Sequence, residues 1–143
     1  TANEMFNAVK KNINVDIAIF TAAVSDVSPR NYSKEKIKKN KFKSINLVNN
    51  KDILKEISYS KKKRPKIVIG FAAETNNYIK NARQKLLSKN CDAIVLNKIN
   101  NKNRVFGSDS NQITFITKKN NINFKRMSKT NTAKKILEQI QKI

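Results

Sequence analysis

Residues 66–96 read KIVIGFAAETNNYIKNARQKLLSKNCDAIVL, and this stretch decides the fold. Its first part, 66–72, is a short apolar run, which is typical of a strand buried on both faces of a sheet. Residues 77–88 have apolar side chains at helical spacing, and residues 91–96 form another apolar run. Because buried strands alternate with a helix, the sequence predicts an α/β fold with a mostly parallel sheet covered by helices on both faces.

The flanking sequence continues this alternation. Before residue 66, the predicted elements are a helix capped by Thr1 and Glu4 that ends near Lys11, a buried strand at 15–20, a long loop at 24–41, a strand at 42–48 and a short helix capped by Asn50 or Asp52. After residue 96, they are a polar loop at 97–110, an antiparallel pair at 112–117 and 122–127, and a final helix capped by Ser128 or Thr130 that turns Ala133, Ile136, Leu137 and Ile140 inward. We interpret residues 1–143 as a single domain, since 143 residues suit one hydrophobic core.

The residue composition excludes several kinds of site. The chain has no histidine and a single cysteine, Cys91. These counts exclude Ser-His-Asp and Cys-His catalytic groups, histidine-based zinc sites and an internal disulfide. A lone cysteine favours a reducing compartment, so we expect a cytoplasmic protein, with Cys91 as a small core residue. No stretch approaches the roughly 18 apolar residues of a transmembrane helix, so we expect no membrane partner.

The net charge points to anionic partners. It is +21, from 31 Lys and Arg against 10 Asp and Glu. Such a charge attracts nucleic acids, anionic membranes and phosphorylated small molecules alike, so it does not choose among them. Because the sequence shows no recognised nucleic-acid-binding motif, a basic nucleic-acid-binding module is an alternative rather than the main hypothesis.

Polar and small residues follow the predicted parallel strands. Since ligands bind at the carboxyl ends of such strands, the segments 21–26 and 71–75 and residue Asn97 should share one rim. Small side chains at 21–26 would let a flat ligand approach the backbone, and Asp26 could accept hydrogen bonds from it. A tight turn with a capping aspartate would explain the same residues.

Two groups of lysines flank this rim. The loop at 35–39 carries Lys36 and is suited to close over phosphates. Lys85 and Lys89 lie four residues apart on the predicted helix, where they repel each other unless an anion lies between them. A solvated charge run and a solvated helix face are the structural alternatives. The basic run at 61–66 is better explained as a solvated connector.

The order of these segments is more specific than any one of them. The segments are Ala22-Ala23-Val24-Ser25-Asp26, Glu35-Lys36-Ile37-Lys38-Lys39, Asn50-Lys51-Asp52-Ile53-Leu54, residues 70–75, Ala82-Arg83-Gln84-Lys85 with Lys89, residues 92–97, residues 106–111 and Ser128-Lys129. In order and spacing they resemble the bacterial phosphopantothenoylcysteine synthetase family. In bacteria this domain is usually fused behind a flavin-dependent decarboxylase.

The resemblance implies a Rossmann-like α/β fold with a C-terminal antiparallel hairpin, and a ligase activity. The family joins 4'-phosphopantothenate to L-cysteine with CTP and Mg²⁺, through an acyl-cytidylate, in coenzyme A biosynthesis. FMN is implied only if a decarboxylase region is fused upstream. A homodimer is the implied assembly, with the hairpin at 112–127 as a contributor, and neither nucleic acid nor membrane is an implied partner.

The resemblance also implies which residues act. Lys36 resembles the family's catalytic loop lysine, and its loop resembles a lid. The implied nucleotide-binding residues are Thr21, Ala22, Asp26, Lys36, Lys51, Asp52, Ile53, Leu54, Phe71, Lys85 and Lys89. No protein side chain is implied as a metal ligand.

The chain departs from the family pattern in two places. Lys51 stands where the family has proline. The Gly-rich strand–helix unit that opens the family domain, and the Asn-bearing motif after it, are missing. We therefore expect an N-terminally truncated ligase domain that lacks some phosphate contacts. An inactive scaffold for dimerisation is the third hypothesis.

Overall fold

The structure is built around a five-stranded sheet. This computed structural model describes residues 1–38, 44–100 and 108–143. Its elements, in chain order, are α1 (Ala2–Asn12), β1 (Ile17–Phe20), β2 (Val27–Pro29), β3 (Leu47–Asn49), α2 (Ile53–Ser58), β4 (Ile67–Glu74), α3 (Tyr78–Ser88), β5 (Ala93–Lys98), β6 (Ser110–Asn111), β7 (Ile113–Thr117), β8 (Asn121–Asn123), β9 (Met127–Ser128) and α4 (Lys129–Ile140).

The strand order in the main sheet is β1-β4-β5-β7-β8. Strands β1, β4 and β5 are parallel, with Phe20 opposite Gly70 and Gly70 opposite Ile94. Strands β7 and β8 continue the sheet antiparallel, as the hairpin with Phe115 opposite Ile122. The predicted α/β class and the C-terminal hairpin are therefore confirmed.

Helices cover both faces of the sheet. On one face, Ala82 and Leu86 of α3 pack against Val68, Ala72, Ile94, Leu96 and Ile116. On the other face, Ile136 and Ile140 of α4 pack against Ile69, Ala93, Val95, Ile113 and Phe115. This arrangement follows from the sequence, since strands with apolar residues at every position need a covering layer on each side.

A third cluster joins α1 and α2 to the first strand. It contains Phe6 and Ile13 from the α1 region, Ala18 of β1, and Ile53 and Ile57 of α2. The predicted capping box of α1 is present, since the Glu4 amide donates to Thr1 Oγ1 at 3.2 Å and the Glu4 carboxylate accepts from the Thr1 amine at 2.6 Å. Of the alternative caps, Asp52 caps α2 and Ser128 caps α4.

Strand β1 is less buried than the sequence predicts. Ile17 and Ile19 are 44% and 38% exposed, whereas Ala18 is buried. The reason is position, since among the described residues β1 pairs only with β4 and forms an edge of the sheet. Apolar composition alone does not distinguish such an edge strand from a central one.

The inward face of α4 is also rotated from the prediction. Ile136 and Ile140 are buried as predicted, but Leu137 is exposed and so is Ala133. Thr132 is buried in their place, and its hydroxyl donates to the Ser128 carbonyl oxygen at 2.9 Å. Because this local hydrogen bond satisfies the hydroxyl, a threonine can occupy the inward face.

The predicted loop at 24–41 contains a short strand. In β2, Val27 pairs with Asn49 of β3 and Pro29 pairs with Leu47. The predicted strand at 42–48 is confirmed at its end, Leu47 and Val48, while residues 42 and 43 lie outside the described residues. Of the helices in the described ranges, none has the length and apolar character that crossing a membrane requires.

Candidate functional site

A cavity of about 400 Å³ lies at the carboxyl ends of β1, β4 and β5. Its walls come from the segment after β1, the start of α2, the end of β4 and the last turn of α3. This is the position that the topology of a parallel sheet favours for ligands. Its volume is also within the usual range for small-molecule sites, about 300–1,000 Å³.

The segment after β1 forms one wall. Thr21, Ala22 and Asp26, all predicted site residues, line the cavity. Asn50 holds this segment in place, since its side-chain amide donates to the Ser25 carbonyl oxygen at 2.9 Å. The Asn50 backbone amide also donates to the Asp26 carbonyl oxygen, at 2.8 Å. The small residues therefore lie on a fixed backbone rather than in a free loop.

The start of α2 forms the second wall, with all four predicted residues Lys51, Asp52, Ile53 and Leu54. Lys51 places its ammonium group 4.5 Å from the centre of the Phe6 ring, a cation–π contact. Ile53 and Leu54 are buried. Asp52 faces the cavity but also caps α2, since its Oδ1 accepts from the Lys55 amide at 3.0 Å.

Gly70 allows α2 to approach the sheet this closely. A Cβ atom at Gly70 would lie 2.5 Å from Leu54 Cδ2 and 2.9 Å from Ile94 Cδ1, well inside van der Waals contact. The absence of a side chain in the middle of β4 therefore positions Leu54 as a wall of the cavity. This gives a physical meaning to the only glycine in the segment 66–96.

Strands β4 and β5 supply the floor. Phe71, a predicted site residue, lines the cavity and is partly buried against the α4 side of the sheet. Asn97 also lines the cavity, as the strand-end rule predicts, and its Oδ1 accepts from Asn111 Nδ2 at 2.8 Å. That hydrogen bond fixes the amide orientation of Asn97 and leaves its own amide group as a donor.

Besides Lys51, two further cations line the cavity, Lys85 of α3 and Lys89 at its C-terminal cap, and each of these two has a carboxylate partner. Lys85 Nζ lies 2.8 Å from Glu74 Oε1, and Lys89 Nζ lies 3.1 Å from Asp52 Oδ2. The two lysines therefore do not depend on a ligand anion to relieve their mutual repulsion. Two carboxylates already offset the repulsion, one beside each lysine, while both lysines still line the cavity.

The sequence profile of the family described as "DNA/pantothenate metabolism flavoprotein C-terminal domain" matches residues 1–143. The chain belongs to this family. A coenzyme A biosynthesis bifunctional protein CoaBC from Borreliella burgdorferi is 40% identical over 142 residues, which cover 96% of this chain and 35% of that protein. A protein named cysteine/cysteine sulfinic acid decarboxylase, from an unknown prokaryotic organism, is 42% identical over 127 residues, covering 87% of this chain and 35% of that protein.

The fold comparison agrees with the family assignment. The crystal structure of the C-terminal domain of a CoaBC protein superposes with a TM-score of 0.76 and 34% identity, covering 98% of this chain and 61% of that one. The chain thus spans about a third of the length of the curated relatives it matches. The resemblance found in the sequence is confirmed at the level of the family.

Lys36 is the one predicted site residue of this family member that does not line the cavity. It is exposed, near residue 38, where the first described range ends. The nearest local order is a turn at Ser33, whose hydroxyl accepts from the Glu35 amide at 3.2 Å. Lys39, the last residue of the predicted lysine loop, lies outside the described residues, as do Phe106 and Gly107 of a later motif.

Sequence reasoning missed two residues of the site. Met5 of α1 lines the cavity, although the sequence singled it out for no role. Glu74 holds Lys85, although the sequence analysis gave it no role. The signal for Glu74 was present, because an acid at the end of a buried strand needs a cation close by.

Cys91 takes no part in this site. It is buried, does not line the cavity, and burial raises the pKa of its thiol to about 12 despite the nearby Lys89 and Arg64. The thiol therefore stays protonated and unreactive at neutral pH. The interpretation of Cys91 as a small core residue agrees with this environment.

Proposed function

We propose that this chain forms the nucleotide-binding part of a phosphopantothenate–cysteine ligase, which uses CTP to join 4'-phosphopantothenate to L-cysteine in coenzyme A biosynthesis. The main support is that ten of the eleven nucleotide-binding residues implied by the resemblance line a single cavity. They come from four separate segments of the chain, so their meeting in one cavity is not a consequence of sequence proximity.

The reaction that we propose has two steps. A carboxylate oxygen of phosphopantothenate attacks the α-phosphorus of CTP, which forms the acyl-cytidylate and releases pyrophosphate. The amine of cysteine then attacks the acyl carbon, which forms the amide and releases CMP. Neither step needs a protein nucleophile, which suits a chain without histidine whose single cysteine, Cys91, is buried and lies outside the cavity.

The cavity residues would act mainly by electrostatics. Lys85 and Lys89 would offset the charge of the triphosphate, and Lys36 would approach from its loop during the reaction. Cations placed where charge develops often supply the largest part of catalysis. Small side chains such as Ala22 would admit a flat base to the backbone, with Phe71 and the start of α2 close to it.

Magnesium would enter with the nucleotide. Among the described residues, no group of three or more His, Cys, Asp and Glu side chains could hold a metal ion. Mg²⁺ commonly binds substrate phosphates with only one or two carboxylates, and Asp26 is the cavity carboxylate that suits this role. FMN would belong to a fused decarboxylase region and has no proposed contact with these residues.

We also propose a homodimer in the cytoplasm, without a nucleic-acid partner. The assembly is carried over from the resemblance, and the compartment is inferred from the single cysteine. The free, buried Cys91 is compatible with a reducing compartment.

The natural full-length polypeptide should be assayed for pyrophosphate release with phosphopantothenate, cysteine and Mg²⁺, and with CTP or ATP. We expect release that depends on phosphopantothenate and is faster with CTP. Lys36→Gln should lower kcat about 100-fold, the usual cost of removing one preorganised electrostatic contact. Lys34→Gln, an exposed lysine just before that motif, is the matched control and should behave as wild type.

The assay can also reject the proposal. No pyrophosphate release with either nucleotide, from a protein shown to be folded, would contradict a ligase. Tight binding of arbitrary duplex DNA that weakens steeply with salt would then favour the nucleic-acid-binding alternative. A folded dimer with neither property would favour the inactive scaffold.

A further inference from the structure

One side of α3 and its C-terminal cap carry three polar residues in one row. Asn81, Lys85 and Lys89 are four residues apart and therefore lie above one another on the helix. The row runs beside the carboxyl end of β4, where Glu74 is the last residue of the strand. Lys85 and Lys89 line the cavity, whereas Glu74 and Asn81 lie behind it.

Glu74 is held on three sides. Its Oε2 accepts from Asn81 Nδ2 at 3.1 Å, and its backbone carbonyl oxygen accepts from the Ile99 amide at 2.8 Å. Its Cα is paired with that of Lys98 in the neighbouring strand. Asn81 is itself fixed, since Nδ2 also donates to the Asn76 carbonyl oxygen at 3.2 Å. The carboxylate therefore has one defined position.

Glu74 and Lys85 form an ion pair in which the carboxylate side chain is largely buried and the lysine side chain is more exposed. The Glu74 side chain is 12% exposed and the Lys85 side chain is 42% exposed. Glu74 Oε1 is buried and has no aligned hydrogen bond, so the ammonium group 2.8 Å away is its only described partner. Because burial of an unpaired carboxylate oxygen is costly, the Lys85 ammonium group stabilises Glu74 in this position.

We propose that Glu74 is a positioning residue: it holds the Lys85 ammonium group at the cavity wall, where that group binds a phosphate oxygen of a polyphosphate ligand. The inference rests on the proposed function for the identity of the ligand as CTP. A lysine ammonium has three donors, so one can contact Glu74 while the others reach the ligand. Because the long side chain is already ordered, less conformational entropy is lost when the ligand binds.

The second pair, Lys89 with Asp52, differs in a way that makes Glu74 the stronger case. Asp52 already caps α2, so its carboxylate is shared between a backbone amide and Lys89. The Asp52 carboxylate therefore has a structural role, the cap of α2, whether or not a ligand is bound. Glu74 caps no helix, and its Oε1 has no other described partner than the cavity lysine.

The first test uses Glu74→Gln in the natural full-length polypeptide. The substitution keeps the shape and removes the charge that fixes Lys85. We expect the KM for CTP to rise about tenfold with little change in kcat, because ground-state binding of the triphosphate is weakened. Affinity for inorganic tripolyphosphate, measured by calorimetry, should fall by a similar factor, while the KM for cysteine stays constant.

A double variant tests whether Glu74 acts through Lys85. If it does, adding Glu74→Gln to Lys85→Met should not raise the KM for CTP further, because the lysine to be positioned is gone. Glu56→Gln is the matched control, an exposed glutamate outside the cavity that should leave both measurements unchanged. Additive effects of Glu74→Gln and Lys85→Met on KM would overturn the proposal.

The outcomes separate this proposal from the proposed function. An active ligase whose Glu74→Gln variant keeps the wild-type KM and tripolyphosphate affinity would overturn the positioning role alone. A protein without ligase activity whose Glu74→Gln variant binds tripolyphosphate more weakly would support the role and contradict the ligase. Failure of the wild type to bind either CTP or tripolyphosphate would overturn both.

If Glu74→Gln does not fold, Asn81→Ala provides a second test of the positioning role of Glu74. It leaves the Glu74–Lys85 pair intact but removes the hydrogen bond that fixes the carboxylate. We expect the KM for CTP to rise about threefold, less than for loss of the charge itself. A wild-type KM in Asn81→Ala, with tripolyphosphate affinity also unchanged, would overturn the proposal.

Discussion

The two ends of the parallel strands use charge differently. At the amino ends of β4 and β5, Arg64 contacts Asp92 at 2.9 Å and donates to the carbonyl oxygens of Ser58 and Asn90 at 3.0 and 3.1 Å. At the carboxyl ends, Lys85 and Lys89 each have one carboxylate partner and face an open cavity. The donors of Arg64 are largely consumed by the protein, whereas the lysines keep donors for a ligand.

This difference shows why the net charge of +21 is a poor guide to function. Arg64 belongs to the basic run at 61–66, which the sequence analysis interpreted as a solvated connector. Lys61, Lys62 and Lys63 are exposed as that interpretation predicts, but Arg64 is half-buried and links Ser58, at the end of α2, to Asp92, just before β5. The fork of a guanidinium suits such a multiple acceptor site better than an ammonium group does.

The largest expected effect on stability comes from removing the Arg64 side chain at the amino ends of the strands. Arg64→Ala should lower the free energy of unfolding by about 3 kcal/mol, because it removes the cation beside the half-buried Asp92 carboxylate and the donor to the Asn90 carbonyl oxygen. Urea denaturation monitored by circular dichroism measures this change. Of its partners among the described residues, the Asp92 carboxylate would keep the Val68 amide, which donates at 2.7 Å.

Lys66→Ala is the matched control for Arg64→Ala. Lys66 lies two residues away and contacts Asp16 at 2.8 Å, but the side chains of that pair are 83% and 75% exposed, against 25% and 24% for Arg64 and Asp92. The hydrogen bond between them raises the pKa of Lys66 and lowers that of Asp16, yet water screens so exposed a pair. We expect no measurable change in the denaturation midpoint. Equal losses in both variants would mean that burial does not distinguish the two pairs.

Gly70, which lies between the two ends, gives the next largest effect. Gly70→Ala should destabilise the protein by about 2 kcal/mol, because the added methyl group would overlap Leu54 and Ile94. Adding Leu54→Ala should recover part of the loss through a negative coupling in a double-mutant cycle. Ala73→Ser, at an exposed position of the same strand, is the control and should change stability little. Purely additive effects would show that Leu54 is not the residue that Gly70 accommodates.

The sequence predicted those parts of the fold that local patterns encode. The strand–helix–strand unit at 66–96 was correct in order and type because each element buries a continuous apolar run or stripe. Strand β2 was missed because its three residues are defined only by pairing with β3, some twenty residues later. The exposed side of β1 was missed because edge position depends on which strands are neighbours, and composition does not report that.

The cavity was predictable for a topological reason, while its ion pairs were not. Segments that follow parallel strands must meet at one rim, so Thr21, Asp26, Phe71 and Asn97 could be grouped from the sequence. The contact between Glu74 and Lys85 joins residues eleven positions apart on two elements, and its geometry depends on how α3 packs on β4. The role of Lys36 stays a prediction.

At the amino ends of the parallel strands, Cys91 should make the free energy of unfolding depend on pH in the alkaline range. Cys91, which precedes β5, has a pKa near 12 in the folded protein against an ordinary value of 9.0. Above pH 9 the unfolded chain releases this proton and the folded protein does not, so the thiol's contribution to stability is present below pH 9 and is lost as the pH rises toward 12. The slope should approach about 1.4 kcal/mol per pH unit within that window.

The Cys91 effect is isolated by comparison with Cys91→Ser, since serine does not titrate there. Urea denaturation at pH 8, 9 and 10 should show the wild type losing stability faster than the variant, while the lysines and tyrosines contribute equally to both. Parallel pH curves for the two proteins would indicate that the thiol ionises as readily in the folded protein as in the unfolded one. In that case the amino end would be more accessible to water than its burial suggests.

The smallest effect on stability is expected for Lys89, at the carboxyl ends of the parallel strands. Lys89→Met should change the free energy of unfolding by less than about 1 kcal/mol, because Asp52 keeps its cap of α2 and is partly solvated. The same variant should weaken tripolyphosphate binding about tenfold, which corresponds to about 1.4 kcal/mol. Lys80→Met, exposed on the same helix and outside the cavity, controls for the loss of one positive charge.

Arg64→Ala should show the opposite result, a large loss of stability with unchanged tripolyphosphate affinity in the folded fraction. If Lys89→Met instead cost as much stability as Arg64→Ala and left binding unchanged, then the lysines of α3 would be structural cations like Arg64, and the cavity would have lost the charge on which its proposed function depends.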